Sequence, residues 1–159
     1  MSKFRCISFS ELSGAALRWA VATALGYTIE QASSLGRYRV IDKEGALLGS
    51  FMIDGSTPPA YVKEWAPDKD WTQGGPIIEY QGIQLTVACD GNPPSIWNAR
   101  LSYEQYYERG IDGPTMLVAG LLCFVASSLD SIERIPQAFL EHMEPPIRCM
   151  GCSSDALAD

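Results

Sequence analysis

The chain has 159 residues, 47% of them hydrophobic, which fits one globular domain with an apolar core. The 19 acidic residues outnumber the 12 basic ones, the formal net charge is -7, and no basic run is present that would neutralise a nucleic-acid backbone. This composition excludes nucleic acid as an expected partner and favours an acidic surface that docks onto a basic protein.

Neither a secretion signal nor a membrane span is expected. The N-terminal residues MSKFRCISFSEL are too polar for the apolar core of a signal peptide, which predicts a cytoplasmic protein. The longest uncharged stretch, Gly113 to Leu129, is diluted by Gly, Pro, Thr and Ser and has no basic flank, so it predicts a buried helix rather than a membrane span. The excess apolar surface of this helix predicts a homodimer or a higher oligomer.

A first helix is predicted from Ser13 to Gly26. Serine is a favoured N-cap residue, Leu12 packs on Leu17 as a hydrophobic staple, and Gly26 supplies the left-handed residue that ends a helix. Between them, apolar residues recur at helical spacing and form one stripe that faces the core. The stripe consists of Leu17, Ala20, Val21, Ala24 and Leu25.

Two β-hairpins are predicted further along the chain. The first joins Arg37 to Ile41 with Leu47 to Ile53 across a turn-forming group, and the second joins Gln84 to Cys89 with Ile96 to Leu101. The intervening segment from Asp54 to Lys69 is rich in Pro, Gly and Ser and predicts a surface loop that is packed in part.

The last main helix is predicted to start near Pro114, where a missing amide costs nothing, and to end before Asp130. Strands and helices do not alternate along the chain, so a parallel sheet is not required. We therefore predict an α+β fold in which an antiparallel sheet of about four strands packs with two main helices and one short helix, a helix-sheet-helix sandwich. Residues 1–140 form the single domain, and residues 141–159 form a polar C-terminal tail that is expected to be flexible.

The segment DWTQGGPIIEYQGI, Asp70 to Ile83, offers the strongest sign of a binding site. If a helix begins near Pro76, the preceding glycine amides stay unpaired and donate hydrogen bonds to a phosphate or carboxylate, while Trp71 stacks on a planar ring. Alternatively, Gly-Gly-Pro only turns the chain sharply, and the tryptophan and isoleucines anchor it to the core. The candidate ligand-binding residues are Trp71, Thr72, Gln73, Gly74 and Gly75.

A second candidate surface is the tyrosine-rich stretch YEQYYER. Tyr103, Tyr106 and Tyr107 are candidates for protein contact, because tyrosine is enriched in binding interfaces. On the preceding strand, Asn98 and Arg100 share one face and are candidates for the same exposed surface. Trp97 lies on the opposite face and is predicted to belong to the core.

Neither a metal site nor a catalytic centre is predicted. His142, Cys149 and Cys152 supply three of the four ligands that a closed zinc site needs, and Cys89 or an acidic side chain is a candidate for the fourth. A polar tail without metal is the simpler interpretation. The same histidine is the single one in the chain, and no Walker-type loop or HExxH motif occurs. We therefore expect no enzyme activity and no cofactor.

Three stretches together resemble the NinX-like proteins of tailed phages and prophages: SELSGAALRWAVATALG, DWTQGGPIIEYQGI and GPTMLVAGLLCFVASSLDSIERIP. Their order and spacing are similar to the family over residues 8 to 139. The chain departs from the family at Met116-Leu117, where Pro-Leu is usual, and at Leu122, where arginine is usual, so an interaction through that arginine is not carried over. The resemblance implies a small phage accessory protein in the host cell cytoplasm, with no assigned biochemical role.

Taken together, the residues and the resemblance predict a non-enzymatic accessory protein that antagonises a host defence system by binding. The first hypothesis is that it sequesters a nucleotide-derived signal near Trp71 to Gly75. The second is that its acidic, tyrosine-bearing face inhibits a host protein by occupying a basic surface. An enzyme acting on a small metabolite is the third.

Overall fold

The computed structural model describes residues 8–89, 96–101, 110–129 and 134–143, and these residues form an α+β fold. After a 3-10 turn at Phe9–Glu11, the helices are α1 (Gly14–Ala24), α2 (Trp71–Gln81), α3 (Met116–Ser128) and α4 (Gln137–Leu140). The strands are β1 (Thr28–Gln31), β2 (Arg37–Ile41), β3 (Leu47–Met52), β4 (Ile83–Cys89), β5 (Ile96–Leu101) and β6 (Ile111–Gly113). The predicted fold class is therefore confirmed.

The strands form two antiparallel three-stranded sheets, β1-β2-β3 and β4-β5-β6, instead of one sheet of about four strands. Both predicted hairpins exist, with Arg37 opposite Met52 in the first and Ile83 opposite Leu101 in the second. Each hairpin gains a third strand, β1 or β6, that the sequence did not predict. The prediction of one sheet is wrong because each hairpin pairs with a short neighbouring strand and not with the other hairpin.

Helix α1 forms where the apolar stripe predicted it. Ser13 occupies the N-cap position with an extended backbone, although its side chain does not cap the helix, and Gly26 adopts the left-handed conformation just after the end. The face that carries Leu17 and Val21 is completely buried. Burial of this face attaches the first sheet to the rest of the core.

A short segment of the long loop extends the first sheet beyond β3. The amide of Ser50 donates to the carbonyl oxygen of Lys63 at 2.8 Å, and the amide of Trp65 donates back to the Ser50 carbonyl oxygen at 2.8 Å. This parallel bridge buries Trp65, which contacts Phe51 with ring centroids 6.2 Å apart. The bridge fixes the start of the segment that leads into the candidate site.

Helix α3 lies between the two halves of the core. Leu121 and Phe124 belong to the cluster that contains α1 and the first sheet, whereas Ala119 and Cys123 pack with the buried residues of β5. Buried positions run along most of the helix, as the sequence predicted, so its apolar surface is largely covered within the chain. In the described part of the chain, no helix is both long and apolar enough to cross a membrane.

Phe139 anchors α4 against the first sheet. Its ring is buried, and its centroid lies 4.9 Å from that of Tyr38 and 6.3 Å from that of Trp19. Most of the predicted polar tail, residues 144–159, lies outside the described residues.

Candidate functional site

Helix α2 begins at Trp71, five residues before the predicted start near Pro76. Asp70 is the N-cap: its Oδ1 accepts hydrogen bonds from the backbone amide of Thr72 at 2.9 Å and from the Thr72 hydroxyl at 2.7 Å. These hydrogen bonds hold the pKa of Asp70 below its ordinary value, because they favour the charged carboxylate. Gly74 and Gly75 therefore lie inside the helix.

Gly74 serves packing and not anion binding. The Gly74 amide donates to the Asp70 carbonyl oxygen at 2.9 Å, so this amide is not available to an anion. A Cβ atom at Gly74 would overlap the carbonyl oxygen of Pro67 and lie 2.9 Å from a methyl group of Leu117. The helix therefore requires glycine here, because the preceding loop and α3 approach its backbone closely. The expectation of an unpaired amide at Gly74 is wrong.

A cleft of about 490 Å³ lies beside the start of α2. Its lining combines aromatic, apolar and polar side chains from four parts of the chain: the end of the long loop, α2, β5 and the start of α3. The lining residues are Asp68, Lys69, Trp71, Trp97, Pro114, Thr115, Met116 and Leu117. The volume lies within the range of small-molecule sites, and the cleft is an open depression rather than an enclosed cavity.

Two tryptophans line this cleft. Trp71, which the sequence marked as a stacking residue, is 50% exposed and borders the cleft from α2. Trp97 borders it from β5 and is partly buried against the cluster of Ala99 and Leu101, the face on which it was predicted. Within the described residues, neither indole is in ring contact with another aromatic side chain.

Gln73 connects α2 to the loop that forms one wall of the cleft. Its Oε1 accepts from the Ala66 amide at 2.8 Å, while its Nε2 donates to the Glu64 carbonyl oxygen at 3.1 Å and to Asp70 Oδ2 at 3.0 Å. The side chain predicted to bind a ligand thus binds protein groups instead. Its effect on the cleft is to fix the loop immediately before Asp68.

Arg18 of α1 is the functional candidate that the sequence did not reveal. It is 1% exposed, its Nε donates to Asp68 Oδ1 at 2.6 Å, and its Nη1 donates to Glu64 Oε1 at 3.2 Å. Asp68 is 8% exposed and lines the cleft, so a buried ion pair lies behind the cleft wall. The sequence did contain one signal: Arg18 lies on the same face of α1 as Ala15 and Ala22. The small alanine side chains indicate a face that packs closely against its neighbours, so an arginine there is expected to be buried and paired.

The start of α3 supplies the other polar part of the lining. Thr115 is the N-cap, and its hydroxyl oxygen accepts from the Val118 amide at 3.1 Å. Lys69 lines the same cleft, so a cation and the positive end of a helix dipole border one space.

The second predicted surface is only partly described. Asn98 is buried, donates through Nδ2 to Asp112 Oδ1 at 2.8 Å, and accepts through Oδ1 from Arg100 Nε at 3.2 Å. Asn98 therefore belongs to an internal polar group and not to an exposed contact face, whereas Arg100 is exposed. The candidate contact residues Tyr103, Tyr106 and Tyr107 lie outside the described residues.

The three residues considered for a zinc site are also described only in part. His142 follows α4, whereas Cys149 and Cys152 lie outside the described residues. In the ranges that the structure covers, no group of three or more His, Cys, Asp and Glu side chains could hold a metal ion.

Comparison with known proteins gives one family. The family model described as Bacteriophage P22, NinX matches residues 8–128, which is more than half of the 159 residues. The match includes α1, α2 and all of α3, and with them every residue that lines the cleft. No curated protein matches the chain.

Proposed function

The chain belongs to the NinX family of phage proteins, and we propose that it is an accessory protein that binds a small nucleotide-derived molecule in the cleft beside Trp71. Binding occurs without turnover and removes the molecule from the host. A signal molecule of a host defence system is the class of target that such sequestration affects, because lowering its free concentration is sufficient to interrupt the response.

The observation that carries this proposal is the pair of tryptophans in one cleft. Stacking of a base on an aromatic side chain contributes about 1–3 kcal/mol per base, and it tolerates any base because every base has a π face. Trp71 and Trp97 line the cleft from α2 and β5, and neither stacks on another aromatic ring of the described residues. The volume of about 490 Å³ suits a ligand of the size of a nucleotide.

The charges of the lining also support a ligand that carries phosphate. Lys69 supplies a cation, and the start of α3 at Met116 supplies the positive end of a helix dipole. Asp68 supplies the opposite charge, and Arg18 offsets it only in part, because its guanidinium is shared with Glu64. An aromatic platform beside a cation suits a ligand that carries a planar group and a separate anionic group.

The ionisable side chains that line the cleft favour binding of a ligand over catalysis of a reaction. Among the described residues these are Asp68 and Lys69. Arg18 holds the carboxylate in a short ion pair, which suits a fixed acceptor better than a nucleophile or a general base.

Calorimetric titration of the purified protein with cyclic dinucleotides and ADP-ribose derivatives tests this function. We expect tight binding, followed by release of the intact molecule when the complex is heat-denatured and the supernatant is chromatographed. Recovery of a cleaved product would identify an enzyme instead. If no member of the panel binds, the small-molecule function is wrong, and the acidic inhibitor of a host protein remains, with an association that weakens as salt is raised.

A further inference from the structure

Asp68 occupies an unusual position, because the residue lines the cleft while its side chain is almost completely buried. It lines the cleft, and its side chain is 6% exposed. Within the described part of the chain, its one hydrogen-bond partner is Nε of Arg18, at 2.6 Å. Arg18 is held in turn by Glu64, whose Oε1 accepts from Nη1 at 3.2 Å.

This arrangement determines what a ligand must offer. A carboxylate in an ion pair is an acceptor only, with about four lone-pair positions, and the single bond from Arg18 uses one of them. A ligand that presents an acceptor to such a group leaves a buried charge facing another lone pair, which costs binding free energy. A ligand with two adjacent donors matches both oxygens of the carboxylate at once.

Resting on the function proposed above, we propose that Asp68 is the specificity-determining residue of the cleft and selects a nucleotide that presents two adjacent hydrogen-bond donors. Nucleotides carry such a pair in two places. Guanine has N1–H and the 2-amino group on one edge, and ribose has the 2′ and 3′ hydroxyls on neighbouring carbons. Both sources share the chemistry that Asp68 recognises.

Arg18 acts through Asp68 as a positioning residue. Its guanidinium joins α1 to the loop at two carboxylates, and Gln73 holds the same loop from α2 through the Ala66 amide. The carboxylate is therefore fixed from both sides before a ligand arrives, which lowers the ordering cost of binding. Lysine at this position would keep the charge but would lose the planar fork that bonds both acids.

Removing one donor at a time from the ligand tests this selection on the wild-type protein. Titrations compare GDP with IDP, which lacks the 2-amino group, and compare GDP and ADP with their 2′-deoxy forms. We expect one of these deletions to weaken binding about 10-fold to 100-fold, the usual loss for a hydrogen bond to a charged group. Loss with IDP assigns the guanine edge, and loss with the 2′-deoxy forms assigns the ribose.

The Asp68→Asn variant should bind the complete and the donor-deleted nucleotides with nearly equal affinity, because an amide replaces one acceptor oxygen with a donor. Glu79→Gln is the charge-matched control: this exposed residue of α2 does not line the cleft, so the discrimination should persist. Arg18→Lys should also reduce the discrimination, but less than Asp68→Asn does. If the role of Arg18 were purely structural, the substitution would leave the discrimination between the ligands unchanged.

Three results overturn the selection by Asp68. If the nucleotides bind but every donor-deleted form binds equally well, Asp68 does not select and the proposed function survives. If Asp68→Asn retains the full discrimination, another residue is responsible. If none of these nucleotides binds, the selection is wrong, and the proposed function falls with it only if the cyclic dinucleotides and ADP-ribose derivatives also fail to bind. Should Asp68→Asn not fold, the wild-type comparison of ligands still decides.

Discussion

The Nε atom of Arg18 donates to Oδ1 of Asp68 across 2.6 Å, and both side chains are almost completely buried. The two residues are 50 positions apart and connect α1 to the wall of the cleft. A buried ion pair is costly to desolvate and contributes little net stability compared with a well-packed apolar pair. Its position behind the cleft fits a role in holding a carboxylate in place.

The Arg18→Met variant should lose about 3–5 kcal/mol of unfolding free energy, because the substitution leaves the Asp68 carboxylate buried without a cation. Urea denaturation measures this loss. The double variant Arg18→Met/Asp68→Leu should recover most of it, since two apolar side chains replace both charges. If the losses of the two single variants simply add in the double variant, the residues are not coupled in the way that the ion pair requires.

Alanine substitutions at the adjacent glycines of α2 should have opposite effects. A Cβ at Gly74 would overlap the Pro67 carbonyl oxygen, so Gly74→Ala should cost about 1–3 kcal/mol through overpacking. At Gly75 the Cβ would lie 3.3 Å from Cε3 of the half-exposed Trp71, which has room to shift. Gly75→Ala should therefore be neutral or gain up to about 1 kcal/mol from helix propensity. Equal losses of unfolding free energy in the two variants would contradict the conclusion that only Gly74 is closely packed.

Gln73→Ala should release the loop that carries Asp68. The Ala66 amide is buried and donates to Gln73 Oε1, so removing the acceptor leaves this amide unsatisfied and should cost about 1–3 kcal/mol. Hydrogen exchange at the Ala66 amide should accelerate more than exchange at the Trp65 amide, which donates to the Ser50 carbonyl oxygen and serves as the internal control. Unchanged protection at Ala66 would show that Gln73 does not fix the loop.

The sequence predicts well the elements that carry their own pattern. The apolar stripe of α1, the two hairpins and the uncharged run of α3 are each recognisable without the rest of the chain. Strands β1 and β6 are not, because they are short and exist only through pairing with β2 and β5. The start of α2 was missed because Gly-Gly-Pro normally breaks a helix, whereas Asp70 and Thr72 together cap it upstream.

For the candidate site, sequence reasoning identified Trp71 but not the residues that surround it. A half-exposed tryptophan beside a glycine pair is a local signal, and it does lie at a cleft. The burial of Arg18 depends on Asp68 and Glu64 in a distant loop, which no local pattern reveals. Lys69 and Trp97 join the lining only because α2, α3 and β5 pack together.

Acid should weaken the fold partly through the N-cap of α2. Hydrogen bonds from Thr72 lower the pKa of Asp70 below its ordinary value of 3.8, so the folded state favours the ionised form. This stabilisation is complete above the ordinary value and is lost as the pH falls through the lowered pKa. Asn also caps helices but does not titrate. The melting temperature of Asp70→Asn should therefore fall less steeply with acidification than that of the wild type, and parallel curves would contradict this role.

The binding of a nucleotide-derived ligand on Trp71 is the central claim, and calorimetric titration of matched variants tests it most directly. Trp71→Ala should remain folded, because the side chain is 50% exposed, and should lose about 5-fold or more in affinity, as expected for one stacked base. Tyr80→Ala, in the same helix but 89% exposed and away from the cleft lining, should bind like the wild type. If a nucleotide bound by the wild type binds Trp71→Ala with undiminished affinity, the cleft beside Trp71 is not the binding site.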